Sequence, residues 1–137
     1  MSHRFKGERT LMRIFIGESD RAADGPWKGR PLYEALLLML RERDFAGATV
    51  VRAIAGFGAS ATVHTDRLLS LSVDLPIIVE VVEAEDRIGE VMPDLDRMIG
   101  GGLVTLERVR VVLYRPGDVP ASEREAHRMA GLQPDVE

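Results

Sequence analysis

The residues best suited to chemistry lie close together in one polar segment that follows an apolar run. The segment reads Gly56-Phe57-Gly58-Ala59-Ser60-Ala61-Thr62-Val63-His64-Thr65-Asp66-Arg67. A connection longer than about a dozen residues without secondary structure is usually functional or disordered. We therefore predict a functional loop over residues 56–74, in which Gly56 and Gly58 form a hinge or let a ligand approach the backbone. His64, Asp66 and Arg67 are the side chains that we expect to contact a protein partner.

His64 and Asp66 also have the side chains of metal ligands, because imidazole nitrogens and carboxylate oxygens bind divalent cations. The alternative is a solvated loop histidine. The absence of cysteine excludes disulfides, thiolate nucleophiles and cysteine-ligated zinc. No pattern pairs a nucleophile with a base, so we do not expect an enzyme. Glu18 and Asp20 are interpreted as solvated loop acids.

Three consecutive glycines, Gly100, Gly101 and Gly102, follow a segment with helical periodicity. A glycine turn can expose successive backbone N–H groups, and such a nest binds phosphate without any side chain. Glycine also commonly ends a helix, because it tolerates the left-handed cap conformation. The residues alone leave both interpretations open.

Composition limits the classes of protein to consider. The chain has 137 residues, of which 45% are hydrophobic, and this suits one globular domain. A net charge of −4 with 5% aromatic residues argues against a nucleic-acid partner. The longest apolar run, residues 35–40, is far shorter than the roughly 20 residues that span a bilayer, and residues 1–6 precede no apolar signal-peptide region. We expect a cytoplasmic protein.

The patterns of apolar residues predict six elements. Strands are predicted over residues 9–16, 48–55, 75–83 and 103–115, the last with a break near Glu107-Arg108. Helices are predicted over residues 31–44, with Pro31 at the first helical position, and 85–99, where Pro93 predicts a bend or two short helices. The order β-α-β-β-α-β predicts a ferredoxin-like α+β sandwich with a long loop between strands 2 and 3.

These elements divide the chain into a flexible N-terminus over residues 1–7, a domain over residues 8–115 and a tail over residues 116–137. The tail contains Ser122-Glu123-Arg124-Glu125, which has the form of a capping box. A short helix and a disordered tail are the two alternatives there.

Two helices can cover only one face of the predicted sheet. Leu11, Phe15, Ile78 and Val82 would then lie on the other face. Burial of one such side chain is worth roughly 1.5–3 kcal/mol, and an exposed group of them marks an interface. We therefore predict a homo-oligomer that packs through the open face of the sheet.

Several segments together resemble the family called domain of unknown function 190, a branch of the PII-like signalling proteins. They are Gly29-Arg30-Pro31-Leu32-Tyr33-Glu34-Ala35, Gly47-Ala48-Thr49-Val50, Gly56-Phe57-Gly58-Ala59-Ser60, His64-Thr65-Asp66-Arg67-Leu68-Leu69, Asp74-Leu75-Pro76 and Gly102-Leu103-Val104-Thr105-Leu106-Glu107. The resemblance covers about residues 8–115. It implies a ferredoxin-like homotrimer that binds nucleotides in clefts between protomers. It also implies signalling through the long loop, often to a membrane transporter, and in this branch an association with fluoride channels.

The chain departs from the PII pattern in ways that affect its expected chemistry. No tyrosine occurs between Phe57 and Leu75, so control by nucleotidylation of a loop tyrosine is not expected. The lysine-bearing phosphate loop is replaced by Gly100-Gly101-Gly102-Leu103, so AMP, ADP, ATP and cyclic adenine nucleotides are all candidate effectors. Arg115 resembles the arginine at the end of the PII core, which implies a phosphate contact across a subunit boundary. The alternative is a metal-binding trimer of the divalent-cation-tolerance type or a ligand-free scaffold.

Overall fold

The computed structural model describes residues 7–58 and 74–117. Four strands and two helices follow one another as predicted. They are β1 (Gly7–Gly17), α1 (Leu32–Glu42), β2 (Thr49–Arg52), β3 (Pro76–Glu83), α2 (Glu85–Met98) and β4 (Leu103–Val111). The sheet order is β2-β3-β1-β4, and every neighbouring pair is antiparallel. The predicted ferredoxin-like α+β fold is confirmed.

The core lies between one face of the sheet and the two helices. Buried residues alternate along the central strands, because successive side chains of a strand point to opposite faces. The buried apolar residues of these elements are Met12, Ile14 and Ile16 of β1, Ile77, Val79 and Val81 of β3, Leu32, Ala35, Leu36, Met39 and Leu40 of α1, and Ile88, Val91, Leu95 and Met98 of α2. Both central strands are thus fixed in register by apolar burial on this face.

The opposite face of the sheet is half-buried to exposed and mainly apolar. Leu11 lies opposite Val82, and Phe15 lies between Ile78 of β3 and Leu103 of β4. Arg13 interrupts this apolar surface between two carboxylates. Its guanidinium binds Glu80 at 2.9 Å and Glu107 at 3.2 Å. We call this surface the open face.

Two predicted strands are too long. β2 ends at Arg52 rather than at residue 55, because Pro76, the first residue of β3, accepts a bond from the Ala53 N–H but has no N–H to donate in return. β4 ends at Val111 rather than at Arg115, since Val111 lies opposite Gly7, where β1 begins. The predicted break near Glu107-Arg108 is wrong. Pairing with β1 runs without interruption from Leu103 to Val111.

The helix boundaries also differ from the prediction. Pro31 is the N-cap of α1 rather than its first helical residue. α2 is one helix through Pro93. The carbonyl that loses its partner at Pro93 belongs to Gly89, and both residues are exposed, so water can satisfy that carbonyl. Ile99, in an extended conformation, ends α2, so the predicted left-handed glycine cap is wrong.

Candidate functional site

Two of the predicted site glycines pack closely against the end of the sheet at which β1 finishes. A Cβ atom on Gly102 would lie 2.8 Å from the Phe15 carbonyl oxygen, and one on Gly56 would lie 2.8 Å from Cγ of Pro76. Both glycines have positive φ angles, 158° and 157°. Larger residues are therefore excluded at both positions by contact as well as by backbone conformation.

The other predicted site glycines are open. Gly58, Gly100 and Gly101 are exposed, and a Cβ atom on any of them would meet nothing within 4 Å. Within the part of the chain that the structure describes, the N–H groups of Gly100 and Gly101 make no backbone hydrogen bond outside the helices and strands. The turn between α2 and β4 thus offers free donors and space for a ligand.

The turn after β1 holds both ends of the long loop. The Glu18 carboxylate binds Arg52, the last residue of β2, at 2.9 Å. On the returning side, the Ser19 N–H donates to Asp74 Oδ1 at 2.7 Å and the Glu18 N–H to the Leu75 carbonyl at 2.9 Å. Asp20 accepts a bond from the Gly17 N–H at 2.9 Å. Glu18 and Asp20 are thus partly exposed loop acids, as interpreted, but both also make specific contacts within the fold.

A groove of about 480 Å³ lies at the other end of the sheet, where β1 begins. Its floor includes Leu11, Glu80 and Val82 of the open face, and residues 46–49 line its wall. The segment after β4 closes it with Leu113 and Tyr114. The next residue, Arg115, is exposed. A larger cavity of about 620 Å³ lies on the other side of residues 46–48, against α1. Only the smaller groove is continuous with the open face.

A buried carboxylate adjoins this groove. Glu83 is only 2% exposed, and its carboxylate accepts a long hydrogen bond of 3.4 Å from the Ala46 N–H and lies 3.7 Å from Arg87 Nε. The Arg87 guanidinium stacks 5.2 Å from the Phe45 ring centroid. Burial raises the pKa of Glu83, although Ala46, Arg87 and Arg9 oppose the shift. Burial, together with the Glu83 charge, raises the pKa of the Tyr114 hydroxyl.

Sequence reasoning missed Glu83 as a residue of interest. The signal was present, because Glu83 continues the inward alternation of Ile77, Val79 and Val81 along β3. A glutamate at a core position of a strand needs partners. The sequence places Arg87 four residues further on, but it does not identify Ala46 and Arg9, which are distant along the chain.

The predicted partner residues His64, Asp66 and Arg67 lie outside the described residues, as do residues 1–6 and 118–137. Within residues 7–58 and 74–117, no three histidine, aspartate or glutamate side chains are grouped to hold a metal ion. In those same ranges, neither helix has the length and apolar character needed to cross a membrane.

The family of the chain follows from comparison of its sequence with known proteins. Residues 9–111 match the model of DUF190, domain of unknown function 190, described as an uncharacterized ACR. The chain belongs to this family. A UPF0166 protein of Aquifex aeolicus (strain VF5) is 36% identical over 105 residues, which are 77% of this chain and 94% of that protein. A UPF0166 protein of Methanocaldococcus jannaschii is 31% identical over 97 residues, 70% of this chain and 84% of that protein.

Solved structures place this DUF190 protein in the PII-like fold. A Thermus thermophilus protein described as a PII-like signalling protein has a TM-score of 0.54 and 18% identity, over 79% of this chain and 93% of that chain. CPII, a nitrogen regulatory PII-like protein from Thiomonas intermedia K12, was solved with ADP, AMP and bicarbonate. Its TM-score is 0.52 at 13% identity, over 76% of this chain and 94% of that chain. At identities this low, the structural similarity establishes the fold alone. The ligand has to be argued from the residues of the site.

Proposed function

We propose that this DUF190 protein is a cytoplasmic PII-like regulatory protein and not an enzyme. It binds an adenine nucleotide between the protomers of a homotrimer and signals through residues 56–74 to a protein partner. One observation carries the proposal: the two candidate halves of the nucleotide site lie at opposite ends of the same sheet.

The phosphate half is the glycine turn. Gly100, Gly101 and Gly102 lie beside Phe15, near the end of β1, with open space at the first two. Arg115, the cation proposed for the same phosphates, follows β4 at the opposite end. From Leu103 to Val111, β4 alone covers about 27 Å at about 3.4 Å per residue. One protomer therefore cannot bring Arg115 to its own glycine turn.

Neighbouring protomers in a closed ring can combine the two halves. A head-to-tail interface uses different surfaces of the two partners, so the glycine end of one protomer meets the groove end of the next. This arrangement forms one complete site at each interface. It also explains why neither half by itself encloses a ligand.

The groove suits the base of the nucleotide. Its volume of about 480 Å³ lies within the range of small-molecule pockets, about 300–1,000 Å³. Leu11, Val82 and Leu113 offer apolar surface to a planar ring. Residues 46–49 and Tyr114 bring polar groups to the lining of the same groove. Arg115 follows Tyr114 directly, which places a positive charge beside the groove.

The open face supports the trimer. Val51, Val82 and Leu103 are 44%, 38% and 57% exposed on it in the single protomer. Association through this face would bury apolar surface that the helices leave uncovered. The ion triad of Arg13, Glu80 and Glu107 already pairs the charges at its centre, which lowers the cost of burying them.

The CPII protein supports an adenine nucleotide as the effector class, since ADP and AMP were bound in its structure. The partner is proposed to be a membrane transporter or a fluoride channel, on the family resemblance. We assign its contact to His64, Asp66 and Arg67 in the long loop. In this scheme the nucleotide acts by binding one loop state more tightly than another, because only that difference shifts a population.

The test is a thermal-shift titration of the purified trimer with AMP, ADP, ATP and cyclic adenine nucleotides. A ligand that binds only the folded protein raises its melting temperature progressively as the ligand concentration rises above Kd. We expect a selective shift with at least one of them, and a weaker shift in Arg115→Ala. Arg110→Ala removes an exposed arginine from β4 and is the matched control.

A trimer that responds to none of these nucleotides would contradict the proposal. A response to divalent cations instead, lost in His64→Ala, would favour the metal-binding trimer. A monomer in light scattering would contradict the shared site, because its halves could then not meet.

A further inference from the structure

We propose that the outer side of α1 binds the same surface of a second copy of this chain, around a two-fold axis. The contact is made by Glu34, Leu37, Leu38 and Arg41, which we call the α1 stripe. Glu34 of each helix lies opposite Arg41 of the other. This inference goes beyond the proposed function, because it needs neither a nucleotide nor the open face of the sheet.

α1 carries apolar side chains on the side that faces away from the core. Its core side is formed by Leu32, Ala35, Leu36, Met39 and Leu40. Leu37 and Leu38 fall away from that side, since a helix turns about 100° per residue. The outer side of a surface helix is normally polar, as in α2, which exposes Glu90, Asp96 and Arg97. The leucines at the centre of the α1 stripe therefore indicate a further packing surface.

The cavity of about 620 Å³ borders this side of the helix. All residues of the α1 stripe line it, and residues 45–48 line it as well. Leu37 and Leu38 are half-buried there, whereas Glu34 and Arg41 are exposed. Because leucine, phenylalanine and alanine side chains form much of the lining, the cavity can receive the apolar side chains of another helix.

The two charges of the α1 stripe are unpaired. Seven residues separate Glu34 from Arg41, which is about 10.5 Å along a helix, so the two cannot bind each other within one chain. Within residues 7–58 and 74–117, neither side chain has an ion pair or a hydrogen bond. The α1 stripe thus presents one negative and one positive charge on either side of two leucines.

The order of these residues makes the α1 stripe complementary to itself. Glu34 and Arg41 are equally distant from the midpoint between Leu37 and Leu38. When a second helix lies antiparallel across this midpoint, each glutamate meets an arginine and the leucines meet at the centre. A two-fold contact requires such a self-complementary surface. A parallel pair is disfavoured, because it would place like charges opposite each other.

The contact is small, which limits its strength. α1 has 11 residues and is about 16 Å long. A pair of such helices buries less than the roughly 1,200–2,000 Å² of a stable interface. We therefore expect the contact to form in concentrated solution and to dissociate in dilute solution. In the proposed trimer, it would associate one trimer with another.

Sedimentation equilibrium over a series of protein concentrations tests the contact. The average mass of the wild-type protein should rise with concentration above the mass of the assembly present in dilute solution. Glu34→Arg and Arg41→Glu should each lower the association constant by about tenfold or more, because like charges then meet at both ends of the pair. Asp96→Arg makes the same reversal at an exposed residue of α2 and is the control.

Restoration of the contact tests its antiparallel geometry. The double variant Glu34→Arg/Arg41→Glu exchanges the two charges, so opposite charges meet again and association should return. An equimolar mixture of the two single variants should also associate, although neither does so alone. One variant then supplies two positive charges and the other two negative charges, which favours the mixed pair.

A purely structural role of the same charges predicts different results. Glu34 lies in the first turn of α1 and Arg41 in the last, where each charge is favourable to the helix dipole. If they act only on the helix, the reversals lower the melting temperature and leave association unchanged. That result would overturn the proposal, as would a wild-type mass that is independent of concentration. Failure of both the double variant and the mixture to associate would overturn the two-fold pairing.

Discussion

Adjacent glycines in the turn after α2 have different roles. Gly102 has φ 158° and touches the Phe15 carbonyl, whereas Gly101 is surrounded by open space. Gly101→Val should therefore leave the free energy of unfolding unchanged and weaken ADP binding by tenfold or more, because its side chain would cover the free N–H groups. Gly102→Ala should lower that free energy by about 1–3 kcal/mol, the cost of a side chain in a glycine-only region.

Urea unfolding and ADP titration of both variants check this prediction. Gly89→Val, at an open and exposed glycine of α2 outside the turn, controls for added bulk alone. A Gly101→Val protein with wild-type affinity would remove the glycine turn from the phosphate site. Equal destabilisation by the two turn variants would show that the turn is structural throughout.

At the scale of single residues, the sequence was a better guide to which residues matter than to the contacts that those residues make. The three glycines stand out in any reading of the chain, but the contact of Gly102 with Phe15 depends on the pairing of β1 with β4. The contact of Glu18 was missed for the same reason. Its partner Arg52 is 34 residues away along the chain, and only the sheet brings the two together.

At the scale of elements, β3 carries a buried charge that should make folding depend on pH. Burial raises the pKa of Glu83 above its ordinary value of 4.5. The folded protein then holds this proton more tightly than the unfolded chain. The stability contributed by this group is complete below about pH 4.5 and is lost as the pH rises through the folded pKa.

Glu83→Gln cannot titrate, and its amide oxygen can still accept the Ala46 N–H. Its stability relative to wild type should therefore increase as the pH rises from about 4.5 through the raised pKa of Glu83 in the folded protein. Urea midpoints across this range measure the difference. Glu42→Gln, at an exposed residue of α1, is the control. A difference that does not change with pH would mean that Arg87, Arg9 and the Ala46 N–H fully compensate the burial.

The type and order of the elements could be predicted because apolar periodicity reflects burial on one face, as along Met12, Ile14 and Ile16. The residues at which strands end could not be predicted in this way. β2 and β4 stop where their partner strands begin, at Pro76 and Gly7, and a partner is not visible in a strand's own residues. The passage of α2 through Pro93 also depends on surroundings, since exposed Gly89 leaves its carbonyl accessible to water.

At the scale of the whole molecule, assembly should depend on the open face. Val82 is 38% exposed there, so an aspartate can be solvated in a free protomer but not in an apolar interface. Val82→Asp should remain folded and elute as a monomer. Ile54→Asp places the same charge at a residue that is 89% exposed outside the sheet, and should remain a trimer. Light scattering distinguishes these outcomes, and a trimeric Val82→Asp would exclude this region of the face from the interface.

When a binding site is shared between protomers, two variants that are each defective can restore the site together. Variants of a site within one protomer cannot do so. In the proposed trimer, Arg115→Ala and Gly101→Val should each damage every cleft, because each proposed cleft needs one copy of both residues. In a mixed trimer, however, a Gly101→Val protomer supplies an intact Arg115 to the intact glycine turn of an Arg115→Ala neighbour. Unfolding and refolding the two variants together should therefore restore tight ADP binding to about one cleft per mixed trimer, a recovery set by the cyclic arrangement of unlike surfaces. Calorimetric titration counts these sites, with each variant refolded alone as the control. If the mixture binds no better than its components, Arg115 and the glycine turn do not act on the same ligand from different protomers.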